Sequence, residues 1–142
     1  MKAITISQPY ASLIASGEKW VENRTWAANY HGPLAIHAGK GQQYLTAEQL
    51  AEYPTGCIIA VANLAACVKL SSVHEYDRHH EHKRNLIAFT NKSWHSVAAH
   101  KHTEGPWCWI LEDVHAVDPI LIRGSQGLWE VPPQFHGTLK TV

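Results

Sequence analysis

The chain has 142 residues, of which 45% are hydrophobic and 17% charged, so its composition suits one folded domain and excludes a disordered chain. Twelve Lys and Arg residues balance twelve Asp and Glu residues, which excludes a protein that coats nucleic acid by bulk charge. Eleven histidines make the net charge responsive to pH near the imidazole value of about 6.5. The cysteines are odd in number and form no C-x-x-C, so neither a disulfide framework nor a thiolate zinc site is indicated.

Strand and helix signals alternate in the first half of the chain. Ser7 is a suitable N-cap, Pro9 fits a first helical turn, and Gly17 is a natural residue to end the helix between them. Apolar and β-branched runs predict strands around this helix and after it, over residues 2–6, 20–24, 33–37 and 57–70.

The second half is less regular until its last third. Thr46 and Gln49 form a T-x-x-Q pattern that predicts a short helix ending at Glu52. Residues 71–104 form a histidine-rich, irregular insertion, with a helix or short strand near 94–99. Further strands are predicted over 107–117, 119–123 and 128–131. We therefore expect a single domain over 1–142 of the mostly β, α+β class, a small β-barrel of about six strands with two or three short helices.

Several classes of protein are disfavoured by missing patterns. The start MKAITISQPY lacks the apolar region of a signal peptide, and no run approaches the roughly 18 apolar residues of a membrane helix. We expect a cytoplasmic protein with no membrane partner. No dinucleotide fingerprint, P-loop, nucleophile elbow or H-E-x-x-H motif occurs, so we predict no cofactor.

The most informative segment runs from Gly17 to Arg24 and has the form G-x-K-x-x-E-x-R. If residues 20–24 are extended, alternate side chains share a face, which places Glu22 and Arg24 together, with Lys19 at the preceding turn. A lysine, a carboxylate and a guanidinium at one rim can hold a polar planar ligand. They can also simply neutralise one another, and the spacing alone leaves both interpretations open.

This segment and three others together suggest a family. The stretches SQPYASLIASGEKWVENRTW, YHGPLAIHAGK, YPTGCIIAVANLAACV and GPWCWILEDVHAVDPILIRGSQGLWEV resemble the ASCH domain of the PUA-like β-barrel superfamily, and only residues 71–104 lie outside the resemblance. The resemblance implies a small barrel with the first helix across one opening and the motif lining a cleft between them. Relatives bind RNA or other nucleic acid, one branch removes acyl groups from the exocyclic amine of cytidine, and another member is a ribonuclease.

The catalytic residues of the cytidine-deacylating branch match this chain only in part. Lys19 matches the lysine that this branch uses in catalysis, but Glu22 occupies the position of its threonine nucleophile. A carboxylate is a poor substitute in amide hydrolysis, which weakens that scheme. Before Gly32, where arginine is frequent, this chain has His31, which makes the rim less basic.

We therefore predict that the protein binds RNA or a nucleotide-like ligand. Gln8 suits the reading of a base edge, and Tyr10 either stacks on a base or packs in the core. The alternative is a hydrolase, an amidohydrolase on acylated cytidine or a ribonuclease, with Lys19 and Glu22 as the catalytic pair. The predicted ligand-binding residues are Gln8, Tyr10, Lys19, Glu22, Arg24 and Lys40.

A histidine cluster and the tryptophans complete the candidates. The cluster is either a metal site or a solvated loop, and because it has no clean H-x-x-x-H pair we predict no metal. As a third hypothesis, this insertion is the surface of an interaction module. The tryptophans of the last strands are predicted to be core residues, and nothing in the sequence indicates an oligomeric state. The histidine cluster comprises His74, His79, His80 and His82, and the tryptophans are Trp107, Trp109 and Trp129.

Overall fold

The computed structural model describes residues 1–73 and 81–139. Its sheet has six strands in the order β2-β5-β4-β3-β1-β6. The strands are β1 (Lys2–Ile6), β2 (Val21–Arg24), β3 (Gly32–Ala38), β4 (Cys57–Lys69), β5 (Trp107–Leu121) and β6 (Leu128–Glu130). The helices are α1 (Tyr10–Ala15), α2 (Leu70–Val73), α3 (Glu81–Phe89) and α4 (Trp94–Ala99), and a 3-10 helix spans Pro133–Leu139.

The chain divides into two compact units. The first unit comprises Met1–Lys19, Pro33–Ala62 and Asp113–Val142, and the second comprises Trp20–Gly32 and Asn63–Glu112. Strands β4 and β5 both pass from one unit into the other, because their sequences cross these boundaries.

The first unit is built on a parallel pair. Strand β1 runs parallel to β3, with Thr5 opposite His37, and antiparallel to β6. Because successive side chains of a strand point to opposite faces of the sheet, small and branched apolar side chains of these strands lie on one face and are buried there. This core contains Ala3, Ala35, Ile58, Val61, Val131 and Leu139.

The second unit packs its helices on an antiparallel pair. Strand β2 pairs with the beginning of β5, with Glu22 opposite Trp109 and Arg24 opposite Trp107. Helix α4 begins at a capping box, in which the Ser93 side chain accepts from the Ser96 N–H. The core of this unit contains Val21, Ala66, Val68, Leu86, Val97, Cys108 and Ile110.

The fold class predicted from the sequence, a mixed α+β fold of about six strands with short helices, is confirmed. Strand β5 is continuous across Pro119, where two strands were predicted. The helix predicted from Thr46 to Glu52 is wrong, because this segment forms turns only. Helices α2 and α3 lie in or next to the insertion, where only a helix or short strand near 94–99 was predicted. The single domain over 1–142 stays a prediction. No helix within the described ranges has the length and apolarity needed to cross a membrane.

Candidate functional site

Lys19 is fixed by the end of helix α1. Gly17 has a φ of +87°, a conformation that favours glycine, and its N–H donates to the Ile14 carbonyl over 3.0 Å. The Lys19 N–H then donates to the Leu13 carbonyl over 3.0 Å. The side chain of Lys19 is only 4% exposed. Helix α1 therefore ends at the predicted position, and the lysine two residues after Gly17 is buried.

Gln8 lies at the start of the same helix and is fully buried. Its amide nitrogen donates to Ser12 Oγ over 2.8 Å and to the Pro54 carbonyl over 2.9 Å, and its amide oxygen accepts from the Ser12 N–H over 2.9 Å. Both amide hydrogens are thus used inside the first unit. In this structure Gln8 joins α1 to the segment before β4, and its predicted role in reading a base stays a prediction.

Tyr10 and Lys40 are more accessible. The half-buried Tyr10 ring packs edge-on against Tyr44, with 5.4 Å between the centroids. Lys40 is exposed, and its stem lies against Gly56, where an added Cβ would come within 2.8 Å of Lys40 Cε. Gln8 and Lys40 therefore both contact the short segment 54–56, one through Pro54 and the other through Gly56.

In the second unit, Glu22 and Arg24 form a direct ion pair. Arg24 Nη2 lies 2.8 Å from Glu22 Oε2, and Arg24 Nε donates to the same oxygen over 3.0 Å. Glu22 is 7% exposed, whereas Arg24 is half-buried. The contact agrees with the prediction that alternate residues of this strand share a face. The guanidinium is thereby held in a fixed plane, as recognition of phosphate or carboxylate requires.

Asn23, on the opposite side of β2, has a part that the sequence did not indicate. Its amide nitrogen donates to the His102 carbonyl over 2.7 Å, and its amide oxygen accepts the N–H groups of Glu104 and Gly105 over 2.8 and 2.9 Å. The Trp20 N–H donates to His100 Nε2 over 3.3 Å. These bonds join the motif strand to residues 100–105. The bonded residues are about eighty positions apart in the sequence, so a local sequence pattern cannot predict these bonds.

Of the three tryptophans predicted to be core residues, Trp109 is confirmed, whereas Trp107 and Trp129 are only half-buried. Trp109 is fully buried, and its indole N–H donates to the Trp26 carbonyl over 3.1 Å. The two rings pack edge-to-face at 4.9 Å. The remaining candidates are less informative. His74, His79 and His80 lie outside the described residues, and the described ranges contain no group of three or more potential metal ligands.

The Cys67 thiol of the second unit is a poor nucleophile. Burial raises the pKa of Cys67 to about 11, against the smaller opposite effect of a hydrogen bond with the Ala28 backbone. At neutral pH this thiol is protonated. The polar chemistry described above therefore rests on Lys19 in the first unit and on the Glu22–Arg24 pair in the second.

Comparison with known proteins identifies the class and then the family. Ten chains of solved structures match this one. One is the ASCH protein of Zymomonas mobilis, which is 17% identical over 96% of this chain and 91% of that one, with a TM-score of 0.57. A tyrosine-to-phenylalanine mutant of that protein is 18% identical over 94% of this chain and 91% of that one, with a TM-score of 0.55. These likenesses show that the chain has the α+β fold of those proteins.

The family follows from the sequence itself. The model of the ASCH domain matches residues 4–120, so the chain belongs to the ASCH domain family. No curated protein matches the chain. The resemblance drawn from the four sequence stretches is thus confirmed.

Proposed function

We propose that this ASCH domain binds RNA or a nucleotide-like ligand through its G-x-K-x-x-E-x-R motif. The observation that carries the proposal is the burial of the motif's charges, with Lys19 4% and Glu22 7% exposed. Removing charged groups from water costs several kcal/mol each unless they are well paired, and buried Lys and Glu side chains are rare in folded proteins.

The ligand class follows from the donors. In the second unit, Arg24 presents a planar guanidinium whose orientation Glu22 fixes, and in the first unit Lys19 and Lys40 carry ammonium groups. Such donors match phosphate oxygens. Tyr10 provides an aromatic face for a base, since stacking is worth about 1–3 kcal/mol per base. We assign Gln8 to support of helix α1, because both of its amide hydrogens are already donated.

The salt dependence of binding tests the proposal. A labelled single-stranded RNA is titrated with the protein at several salt concentrations, and each cation on a phosphate contributes about −0.7 to the slope of log K against log salt. We expect Lys40→Ala to lower affinity and to reduce this slope, because Lys40 is exposed and its loss spares the fold. Lys69→Ala is the matched control, since Lys69 is equally exposed at the end of β4.

A second variant addresses the motif itself. Lys19→Met keeps the length of the buried stem and removes the ammonium, and we expect it to lower affinity at least as much as Lys40→Ala. Circular dichroism establishes that the variant is folded, and recovery of intact RNA separates binding from the hydrolysis that the sequence left as an alternative. Equal affinities and equal slopes for the wild type and all three variants would refute the proposal.

A further inference from the structure

Trp20, directly before β2, and Asn23, on β2, are joined to residues 100–105 by hydrogen bonds within the second unit. We call this set the histidine clamp, and it comprises Trp20, Asn23, His100, His102, Glu104 and Gly105. The segment it holds begins at the C-cap of α4, where the His100 N–H donates to the Ser96 and Val97 carbonyls. The clamp therefore fixes β2, and with it Glu22 and Arg24, against a capped helix end.

One bond of the clamp defines the protonation state of His100. A backbone N–H can only donate, so the bond from Trp20 requires a lone pair on His100 Nε2. The ring in the clamp is then the neutral tautomer, with its hydrogen on Nδ1. Protonation would place an N–H on Nε2, facing the Trp20 N–H, and the bond would be lost.

Groups of opposite effect surround His100 in the second unit. Its ring packs at a tilt against the Trp20 indole at 4.4 Å, a contact that favours a positive charge, whereas the Lys92 ammonium over the same indole at 4.5 Å disfavours one. The His102 ring is 5.5 Å away. Other charged groups of the neighbouring described elements include His95 on α4, Lys101 and Glu104 in the segment, all three exposed, the Glu22–Arg24 pair on β2 and Glu112 on β5.

We propose that His100 and Asn23 are positioning residues for the ligand-binding motif, and that protonation of His100 breaks the Trp20 half of the clamp while the three bonds of Asn23 remain. The proposal rests on the proposed function for its consequence in binding, but the clamp itself is independent of it. Ligand affinity is then expected to depend on two opposed effects. Protonation of the many histidines favours a phosphate ligand at acid pH, whereas protonation of His100 removes the bond that fixes Trp20, directly before the strand that carries Arg24.

The variant His100→Gln separates these effects. The glutamine amide oxygen reaches as far as Nε2 and accepts the Trp20 N–H without titrating. His95→Gln is the matched control, because His95 is exposed on α4 and stacks on Trp94 rather than on the motif strand. Binding of the labelled single-stranded RNA is measured at pH 7.5 and at pH 5.5 for the three proteins.

We expect the ratio of affinities at pH 5.5 and pH 7.5 to be about threefold to tenfold higher for His100→Gln than for the wild type, the size expected of one hydrogen bond. His95→Gln should have the wild-type ratio. Asn23→Ala, which removes the other half of the clamp, should weaken binding at both pH values. Equal ratios for wild type and His100→Gln would overturn the proposal.

A measurement without ligand keeps the clamp separate from the function. In a ¹⁵N-resolved NMR titration, the Trp20 amide resonance should move with the same midpoint as the His100 ring in the wild type, and should stay still in His100→Gln. This outcome would uphold the clamp even if no RNA bound. If the Trp20 amide resonance does not change as His100 titrates, the proposed role of His100 in the clamp is wrong.

Discussion

Thr5 and His37 face each other across the parallel strands β1 and β3, and Thr5 Oγ1 lies 3.1 Å from His37 Nδ1. The other ring nitrogen, Nε2, lies 2.7 Å from the Ile122 carbonyl, which can only accept. Nε2 therefore carries the hydrogen, and Nδ1 accepts from the Thr5 hydroxyl. The Trp129 indole N–H donates to the same hydroxyl over 3.2 Å. The donor and the acceptor are therefore assigned for each hydrogen bond from Trp129 through Thr5 and His37 to Ile122.

The first prediction is that His37 makes the fold sensitive to acid. Burial lowers the pKa of His37 below its ordinary value of 6.5, and the hydrogen bond with Ile122 offsets this only in part. The unfolded chain therefore takes up this proton before the folded one as the pH falls. The stability that His37 contributes is complete above about pH 6.5 and is lost as the pH drops through the folded pKa. Urea unfolding from pH 7.5 to 5 measures it.

His37→Gln supplies the comparison. Glutamine retains a donor for the Ile122 carbonyl but leaves the Thr5 hydroxyl without its acceptor, so we expect a loss of about 1–3 kcal/mol at pH 7.5. The variant should also lose less stability than the wild type between pH 7 and 5. His95→Gln, at an exposed position, controls for the general effect of removing a histidine. A variant with the full wild-type pH dependence would contradict the assignment.

The second prediction concerns the space beside this pair. A Cβ on Gly124 would lie 2.5 Å from Thr5 Oγ1 and 2.8 Å from His37 Nδ1. Gly124→Ala must push the two side chains apart, and overpacking of this kind costs about 1–3 kcal/mol. Gly137→Ala is the control, because nothing lies within 4 Å of its added Cβ. Equal midpoints of urea unfolding for the two variants would show that the Thr5 and His37 side chains move aside with no loss of stability.

The strands and the first helix could be predicted because their signals are local. Gly17 ends α1 where a left-handed residue is needed, and the apolar runs coincide with β1, β3 and β4 within a residue or two. At Thr46 the local signal was misleading. The reciprocal bonds between Thr46 and Gln49 do form, but a short helix needs an apolar face packed on a core, and Leu50 is exposed. The capping pattern therefore starts turns only.

Helix α3 escaped prediction because its pattern is inverted. Lys83 is 1% exposed and Leu86 is buried, whereas Ile87 is 71% and Phe89 63% exposed. A binary pattern that takes lysine as the outer face and isoleucine as the inner one gives no helix here. The histidine clamp was missed for another reason, since Asn23 and Gly105 meet only through the fold.

The third prediction follows from the position of Lys83. Its ammonium has no hydrogen-bond acceptor among the residues that the structure describes, and it lies 4.6 Å from the centre of the Trp94 ring. A buried donor without an acceptor costs about 1–3 kcal/mol, part of which the contact with the ring offsets. Lys83→Met keeps the length and removes the charge, so we expect an increase in the free energy of unfolding of about 1 kcal/mol.

Lys92→Met is the matched variant, since Lys92 lies over Trp20 at a similar distance but is only half-buried. It should leave stability unchanged or slightly lower, because water still solvates its ammonium. Both are measured by chemical denaturation at pH 7.5. A Lys83→Met protein less stable than the wild type would mean that the charge of Lys83 contributes to the fold.

The last prediction uses Glu22→Gln to separate recognition from structure. The amide keeps the shape of Glu22 and removes its charge, so the two nitrogens of Arg24 lose their anionic partner. An exposed ion pair contributes less than about 1 kcal/mol and a broken buried one costs about 3–5 kcal/mol. With side-chain exposures of 25% for Arg24 and 10% for Glu22, we expect a loss between these limits, about 1–3 kcal/mol.

If Glu22 also recognises the ligand, its loss has a second effect on binding. The uncompensated guanidinium should strengthen binding of inorganic phosphate and of any nucleotide, while the ratio of affinities for cytidine and adenosine monophosphates moves toward one. Glu130→Gln is the control, because Glu130 forms an exposed ion pair with Lys2 at 3.0 Å and should alter neither quantity much. Thermal unfolding and the two nucleotide titrations are made on the same preparations. A destabilised Glu22→Gln protein with an unchanged affinity ratio would limit Glu22 to holding Arg24 in place, since a charge that discriminates between bases cannot be removed without changing that discrimination.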